Sequence, residues 1–466
     1  MHLTAGQAIL GLLTVMSLVI GTGVAEEKPQ LGTPPQMGES PADDVVAKLI
    51  KDLGDENYRV REQAGRELAV LGEKALPQMR AALHATDSPE VQRRLAVLIR
   101  KLDHDRLVTP KTVTMKLTDK GVKAAFDEIA RQTGYKIEYS GGGRRIGGGD
   151  DGEIKHTFEF ENTPFWVAVD KVANTTGCAV FSNYDDETIR VYHQESLNPY
   201  VAYAGPFRFV ATNIHSTKSV QLSGINRHSS TTFRQEHMNL SFQIQSEPKN
   251  PMLGITQAEV ITAVDEFGGS LVPPKNPNYR SEYYSTGRMR GYTAYANLNL
   301  SRADKAATTI KTLKGKIGII LLAGTVPEIT IPNPLQQQNQ TYTGRSVAID
   351  LGSLKEDPNT KGHYLLEITV KRIGETDPNR IDYTWSDTAW QKMELYDEKG
   401  GRYHCFGPNT LNNNGTSVQM SLPFRPEDRR GMAPKSKLGP PAKLVVNEWL
   451  SITHEVTFEF KDIPLP

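Results

Sequence analysis

Apolar residues recur at helical spacing from about residue 43 of the chain. Val46, Leu49 and Leu53 share one face, and Val60, Ala64, Leu68 and Leu71 repeat the pattern. Leu76, Met79 and Leu83 continue it, followed by Val91, Leu95, Leu98 and Leu102. Gly54 and Gly72 stand where helices stop, while Asp55 and Ser88-Pro89-Glu90 are starting signals. The spacing predicts four short helices in two hairpins over 43–105. From about residue 200 the period falls to two, in Phe207–Val210, Met238–Phe242, Tyr364–Val370, Met393–Leu395 and Val456–Phe460. Asp397-Glu398-Lys399-Gly400-Gly401 has the composition of a hairpin turn. These strands predict two tandem antiparallel β-sandwiches, 200–334 and 340–466, joined by Pro334-Leu335-Gln336-Gln337-Gln338. LLAGTVPEITIPN near 321 and WLSITHEVTFEFKD near 449 read as similar strand pairs ending each sandwich.

Between the two regimes lies an internal repeat. TMKLTDKGVKAAFDEIARQTGYKIEYS, from Thr114, aligns without gaps on TFEFENTPFWVAVDKVANTTGCAVFSN, from Thr157. Asp127 matches Asp170, Ala130 matches Ala173, and Thr133-Gly134 matches Thr176-Gly177. Each copy reads as strand, amphipathic helix, glycine cap, strand. Val122, Ala125, Phe126 and Ile129 form one buried stripe, and Phe165, Val169, Val172 and Ala173 the other. Both stripes are expected against one sheet, with Thr188–Tyr192 as a last strand.

Two resemblances follow from these residues. DENYRVREQAGRELAVLGEKALPQM, with Val60-Arg61, Ala64, Leu68, Gly72, Ala75 and Pro77, resembles a HEAT repeat over about 43–105, two units at most. The duplicated βαβ pattern over 110–193 resembles the short N-terminal (STN) domain of secretins and TonB-dependent receptors. That resemblance implies a docking module without catalysis, although no outer-membrane barrel pattern follows it here. The combination also resembles exported multidomain envelope proteins of planctomycetes. The expected class is thus multidomain α+β: signal peptide 1–25, flexible linker 26–42, HEAT-like segment, STN-like domain and two sandwiches.

The leader is read from an apolar run, Ile9 to Ile20, followed by Gly23-Val24-Ala25 before Glu26. Cleavage there gives an exported chain, periplasmic or extracellular, without a transmembrane span. Among 466 residues, Lys+Arg and Asp+Glu are both 54, which argues against nucleic acid as a general partner. Two cysteines, Cys178 and Cys405, exclude a disulfide scaffold and a cysteine-rich metal cluster.

Familiar catalytic patterns are missing. GGGRRIGGGDDGE (141–153) has the glycines of a phosphate loop without GxxxxGK[ST], so it reads as a connection between strands. Asp150, Asp151 and Glu153 lack EF-hand spacing. His215, His228 and His237 have no HExxH context, and no GxSxG occurs. No cofactor or metal site is expected, and Arg93, Arg94, Arg100 and Lys101 read as a solvated face. One stretch stands out, YRSEYYSTGRMRGYTAY, with Tyr279, Arg280, Tyr283, Tyr284, Arg288, Arg290, Tyr292 and Tyr295. Tyrosine and arginine bury large area while keeping hydrogen bonds, and the rings could stack on sugars. The other reading is a long loop whose tyrosines pack on their own sandwich. The functional expectation is a non-catalytic interaction protein that docks envelope proteins. The alternatives are a polysaccharide-binding protein using 279–295, or a hydrolase with a carboxylate pair among the sandwich loops.

Overall fold

The structure, a computed structural model, describes residues 41–140, 154–182, 187–194, 199–221, 233–274, 290–301, 306–374, 384–427, 434 and 437–466. The leader, the linker up to residue 40 and the glycine-rich stretch 141–153 lie outside the described residues. The helical part comprises α1 (Pro41–Asp52), α2 (Tyr58–Leu71), α3 (Leu76–Ala85) and α4 (Pro89–Val108). Leu53, Leu68, Met79 and Leu95 have no exposed surface, as the helical spacing predicts. Asn57, rather than Asp55, caps α2, its side chain accepting from the Arg59 amide at 2.9 Å. Ser88 caps α4, and Gly72 ends α2 at φ 61°.

The repeat folds as β1 (Thr112–Lys120), α5 (Val122–Thr133) and β2 (Ile137–Ser140), then β3 (His156–Pro164), α6 (Phe165–Thr176) and β4 (Cys178–Ser182), closed by β5 (Ile189–His193). Its symmetry reaches the backbone. Gly134 and Gly177 both cap helices in the left-handed region, and the aligned pair Asp119 and Asn162 both take positive φ, 56° and 43°. The helices do not share one sheet. β1 pairs with β3, and β2, β5 and β4 make a second, three-stranded sheet. Each sheet draws strands from both halves, and both stripes meet in one core around Phe126, Phe165, Val169 and Val191. Neither half can bury its apolar face alone.

The β-rich part begins with β6 (Val201–Ala204), β7 (Phe207–Gln221), β8 (Phe233–Ser246), β9 (Met252–Ile255), β10 (Glu259–Asp265) and β11 (Thr293–Leu300). β12 (Thr309–Pro332) follows, then β13 (Gln340–Thr343), β14 (Val347–Glu356) and β15 (Tyr364–Arg372). A short helix, α7 (Thr384–Ala389), precedes β16 (Met393–Asp397), β17 (Arg402–Cys405), β18 (Asn409–Asn413), β19 (Ser417–Arg425) and β20 (Pro441–Pro464).

The last strand crosses the expected boundary between the sandwiches. β12 and β20, 24 residues each, pair antiparallel from Thr309↔Pro464 to Pro332↔Lys443. The two stretches that look like the ends of separate sandwiches are therefore partners in one ribbon. At one end Val456, Phe458 and Phe460 enter the first core, beneath the sheet β11-β8-β7-β6. Phe458 stacks on Phe209 with centroids 4.5 Å apart and lies 5.0 Å from Phe242. At the other end Ile329, Ile331, Leu444 and Val446 enter a second core. That core is enclosed by the continuation of the same sheet through β16, β17, β19, β15, β14 and β13. The architecture is sandwich-like at both ends, but the two bodies share two strands.

The ribbon also holds the helical part at its middle. Arg80 and Arg106 both donate to the Ala323 carbonyl, at 3.0 and 2.8 Å, and Arg80 pairs with the buried Asp103 at 2.6 Å. A bulge between Leu322 and Gly324 allows that approach, and a Cβ at 324 would lie 2.5 Å from the Arg80 guanidinium. Gly324→Ala should therefore lower stability by about 1–3 kcal/mol in a denaturant melt. Gly65→Ala in α2, with its nearest new contact at 3.9 Å, should raise it by about 0.5–1 kcal/mol. Equal effects from the two would remove the close-approach argument.

Candidate binding surface

The duplicated domain sits over one end of the sheet β11-β8-β7-β6, and the contact is built from buried polar groups. Arg208 on β7 donates to Asp170 of α6 at 2.7 Å and to Gln245 at 2.6 Å. Tyr203 donates to the same Asp170 at 2.6 Å, and burial beside that carboxylate pushes the phenol up. Trp166 donates to the Pro206 carbonyl at 3.2 Å, with the Arg208 guanidinium 5.9 Å from its ring centroid.

Beside it lies Glu247, with no exposed surface. Its carboxylate accepts from the Lys111 amide at 3.1 and 3.2 Å and from the Tyr135 hydroxyl at 2.7 Å. Asn250, equally buried, donates to the Leu107 carbonyl of α4 at 2.8 Å. Leu107 itself belongs to the first sandwich core. The turn 247–250 thus touches the helical part, the duplicated domain and the sandwich at once.

The Tyr-rich segment divides across this junction. Tyr279, Arg280, Tyr283, Tyr284 and Arg288 lie outside the described residues. Tyr292 is 3% exposed and donates to Glu187 at 2.8 Å, so it is a strut beneath the duplicated domain rather than a free ring. The Arg290 backbone amide donates to Gln391 at 2.7 Å, and its guanidinium lies 4.0 Å from Glu187. Tyr295 alone of the described three points outward, 63% exposed.

Tyr295 stands at the start of a polar shelf, where the outer face of the sheet runs clear of the duplicated domain. Its register sets Gln243 against Tyr295, then Asn213, Ser241 and Asn297, then His215, Asn239 and Asn299. The side chains bond across strands: Gln243 donates to the Tyr295 hydroxyl at 3.2 Å, Ser241 to Asn297 at 2.7 Å, and Asn239 to Asn299 at 3.1 Å. Sequence reasoning missed this ladder. Its signal was present in MNLSFQIQ and TAYANLNL, where every second residue is Asn, Ser, Thr, Gln or Tyr and none is charged.

His215 and His237 share this face, and His228 lies outside the described residues. Among the described residues no three His, Cys, Asp or Glu side chains are grouped to hold a metal ion. No described helix is long and apolar enough to cross a membrane. Cys178 begins β4 and Cys405 ends β17, and neither is in a disulfide. Arg93, Arg94 and Lys101 line a cleft of about 490 Å³ between α2 and α4, where Arg94 is held by Glu62 at 2.8 Å and Glu90 at 2.6 Å. No protein-family model matches this sequence, and no curated protein matches it.

The Glu247 carboxyl is pushed up to about 7, because burial outweighs the donors around it. A folded-state value above the unfolded one, near 4.5, stabilises the fold below that lower pH, and the contribution is lost as pH rises towards 7. The span corresponds to roughly 3 kcal/mol. His454, lowered by burial and then by His104, acts in the opposite direction, so a difference between variants isolates the carboxyl. Unfolding free energies of the native chain and Glu247→Gln, measured from pH 4.5 to 8, should show the falling component in the native chain alone. Parallel curves would remove Glu247 as its source.

Proposed function

We propose that this chain is a non-catalytic scaffold outside the cytoplasm that docks other proteins of the cell envelope. Export is supported by the apolar run ending at Gly23-Val24-Ala25, and docking by the STN-like repeat and the HEAT-like helices. The observation that carries the reading is the outer face of the three-stranded sheet. β4 is an edge strand there. Phe181 on β4 is 44% exposed and Tyr192 on β5 is 38% exposed, their rings edge to face at 5.7 Å. Arg190, paired in register with Phe181, lies 3.6 Å from Glu138 on β2. Aromatic rings beside an arginine are the composition of interface hot spots, and an unpaired strand edge can accept a strand from a partner. The inward positions of the same strands, Cys178, Ile189 and Val191, are buried, so the outward rings contribute nothing to the domain's own core.

A photo-crosslinking residue at position 181 should capture a discrete envelope protein, whereas one at the exposed Leu411 of β18 should not. Tyr192→Ala should weaken that capture at least tenfold without moving the melting temperature. Equal capture from both positions, or none from 181, would contradict docking through this sheet. The mature amino terminus should fall near Glu26, and sequencing that finds Met1 on a cytosolic protein would contradict export.

A further inference from the structure

The geometry points to the polar shelf of β7, β8 and β11 as a binding site for an uncharged polysaccharide strand. This inference is independent of the docking face on the duplicated domain. The first sandwich carries two outer faces of opposite character. Across β10, β12 and β20 the outward positions carry ion pairs among threonines, serines and Ile261, as in Lys316 between Glu259 and Glu455, and Lys311 on Asp462. Such a mixed-charge surface is ordinary solvation of a sheet. On the opposite sheet the outward positions of the three rows hold Asn, Ser, Gln, His and Tyr with one aliphatic residue, Val210, and no Lys, Arg, Asp or Glu. In a chain with 23% charged residues, that neutrality needs a reason of its own.

The chemistry of the shelf fits sugar hydroxyls. An amide offers a donor and an acceptor side by side, which a hydroxyl matches without any charge to neutralise. The amides are already held: Ser241 fixes Asn297, Asn239 fixes Asn299, and Gln243 fixes Tyr295. Little side-chain entropy is then lost on binding. The exposed ring of Tyr295 supplies an apolar face for the C–H side of a pyranose. From Tyr295 to Asn299 and across three strands the surface spans about 14 by 10 Å. An acidic polymer would meet no cation there, and a protein partner would meet no large apolar anchor beyond one ring.

Native affinity electrophoresis tests this with the full exported chain run through gels containing dextran, mannan or xyloglucan, and polygalacturonate as the acidic comparison. At least one neutral polymer should retard the protein, and polygalacturonate should not. Asn297→Asp keeps the acceptor for Ser241 but adds a charge, and Tyr295→Ala removes an exposed ring; each should weaken retardation at least tenfold at an unchanged melting temperature. Phe181→Ala should leave it intact, which separates this site from the docking face. No retardation in any neutral gel, retardation that survives both shelf substitutions, or a photo-crosslinker at 297 that captures a protein would each overturn the assignment.

Discussion

The antiparallel ladder between β12 and β20 positions every other part of the molecule. Thr309 pairs with Pro464 and Pro332 with Lys443, so the ribbon closes around the whole second sandwich before its own end completes the first. The entropy of closing so long a loop must be offset by what the ribbon buries. Phe458 and Phe460 at one end, with Leu444 and Val446 at the other, carry that role in two cores at once. The helical part is anchored to the middle of the ribbon through Ala323, and His104 of α4 lies edge-on to His454 of β20 at 5.3 Å.

The duplicated domain is held differently, by charge and hydrogen bonding rather than by a shared sheet. Asp170 and Arg208 are each less than a tenth exposed, and their pair is completed by Tyr203 and Gln245. A buried pair of this kind adds little net stability over an apolar contact, but losing one partner strands a charge. Any slippage of the domain over the sheet has that consequence. The contact therefore fixes orientation, and with it the relation between the aromatic edge of β4 and the polar shelf. Ser182, the residue after Phe181, accepts a hydrogen bond from Thr293 at 3.2 Å, two positions before Tyr295. The two proposed faces meet at this point.

Local structure was legible in the sequence because periodicity records which face is buried. The helical stripe through Leu53, Leu68 and Met79, and the paired stripes through Phe126 and Val169, are buried as their spacing requires. Alternation cannot name a strand's partner, however. The stretches near 321 and 449 look alike because they lie in the same two cores, and that likeness suggested repetition when the relation is pairing. The site was legible in part. Tyrosine enrichment marked the stretch that ends on the shelf, but composition does not separate Tyr292, buried just before β11, from the outward Tyr295 within it. Glu247 gave no local signal, since its burial arises from three parts of the chain converging on a turn.

The central claim is that the first sandwich is incomplete without the end of the chain. It is tested most directly by two shortened proteins. One stops at Gln338, the expected domain boundary. The other joins 41–326 through a tight two-residue turn to 448–466, since Val326 and Glu448 are paired neighbours in the ribbon. Amide hydrogen exchange should find the β7, β8 and β11 amides protected in the joined protein and unprotected in the one that stops at Gln338, where the helical and duplicated parts keep their own cores. Equal protection of those strands in both would show that the first sandwich folds without β20, and would contradict the shared ribbon.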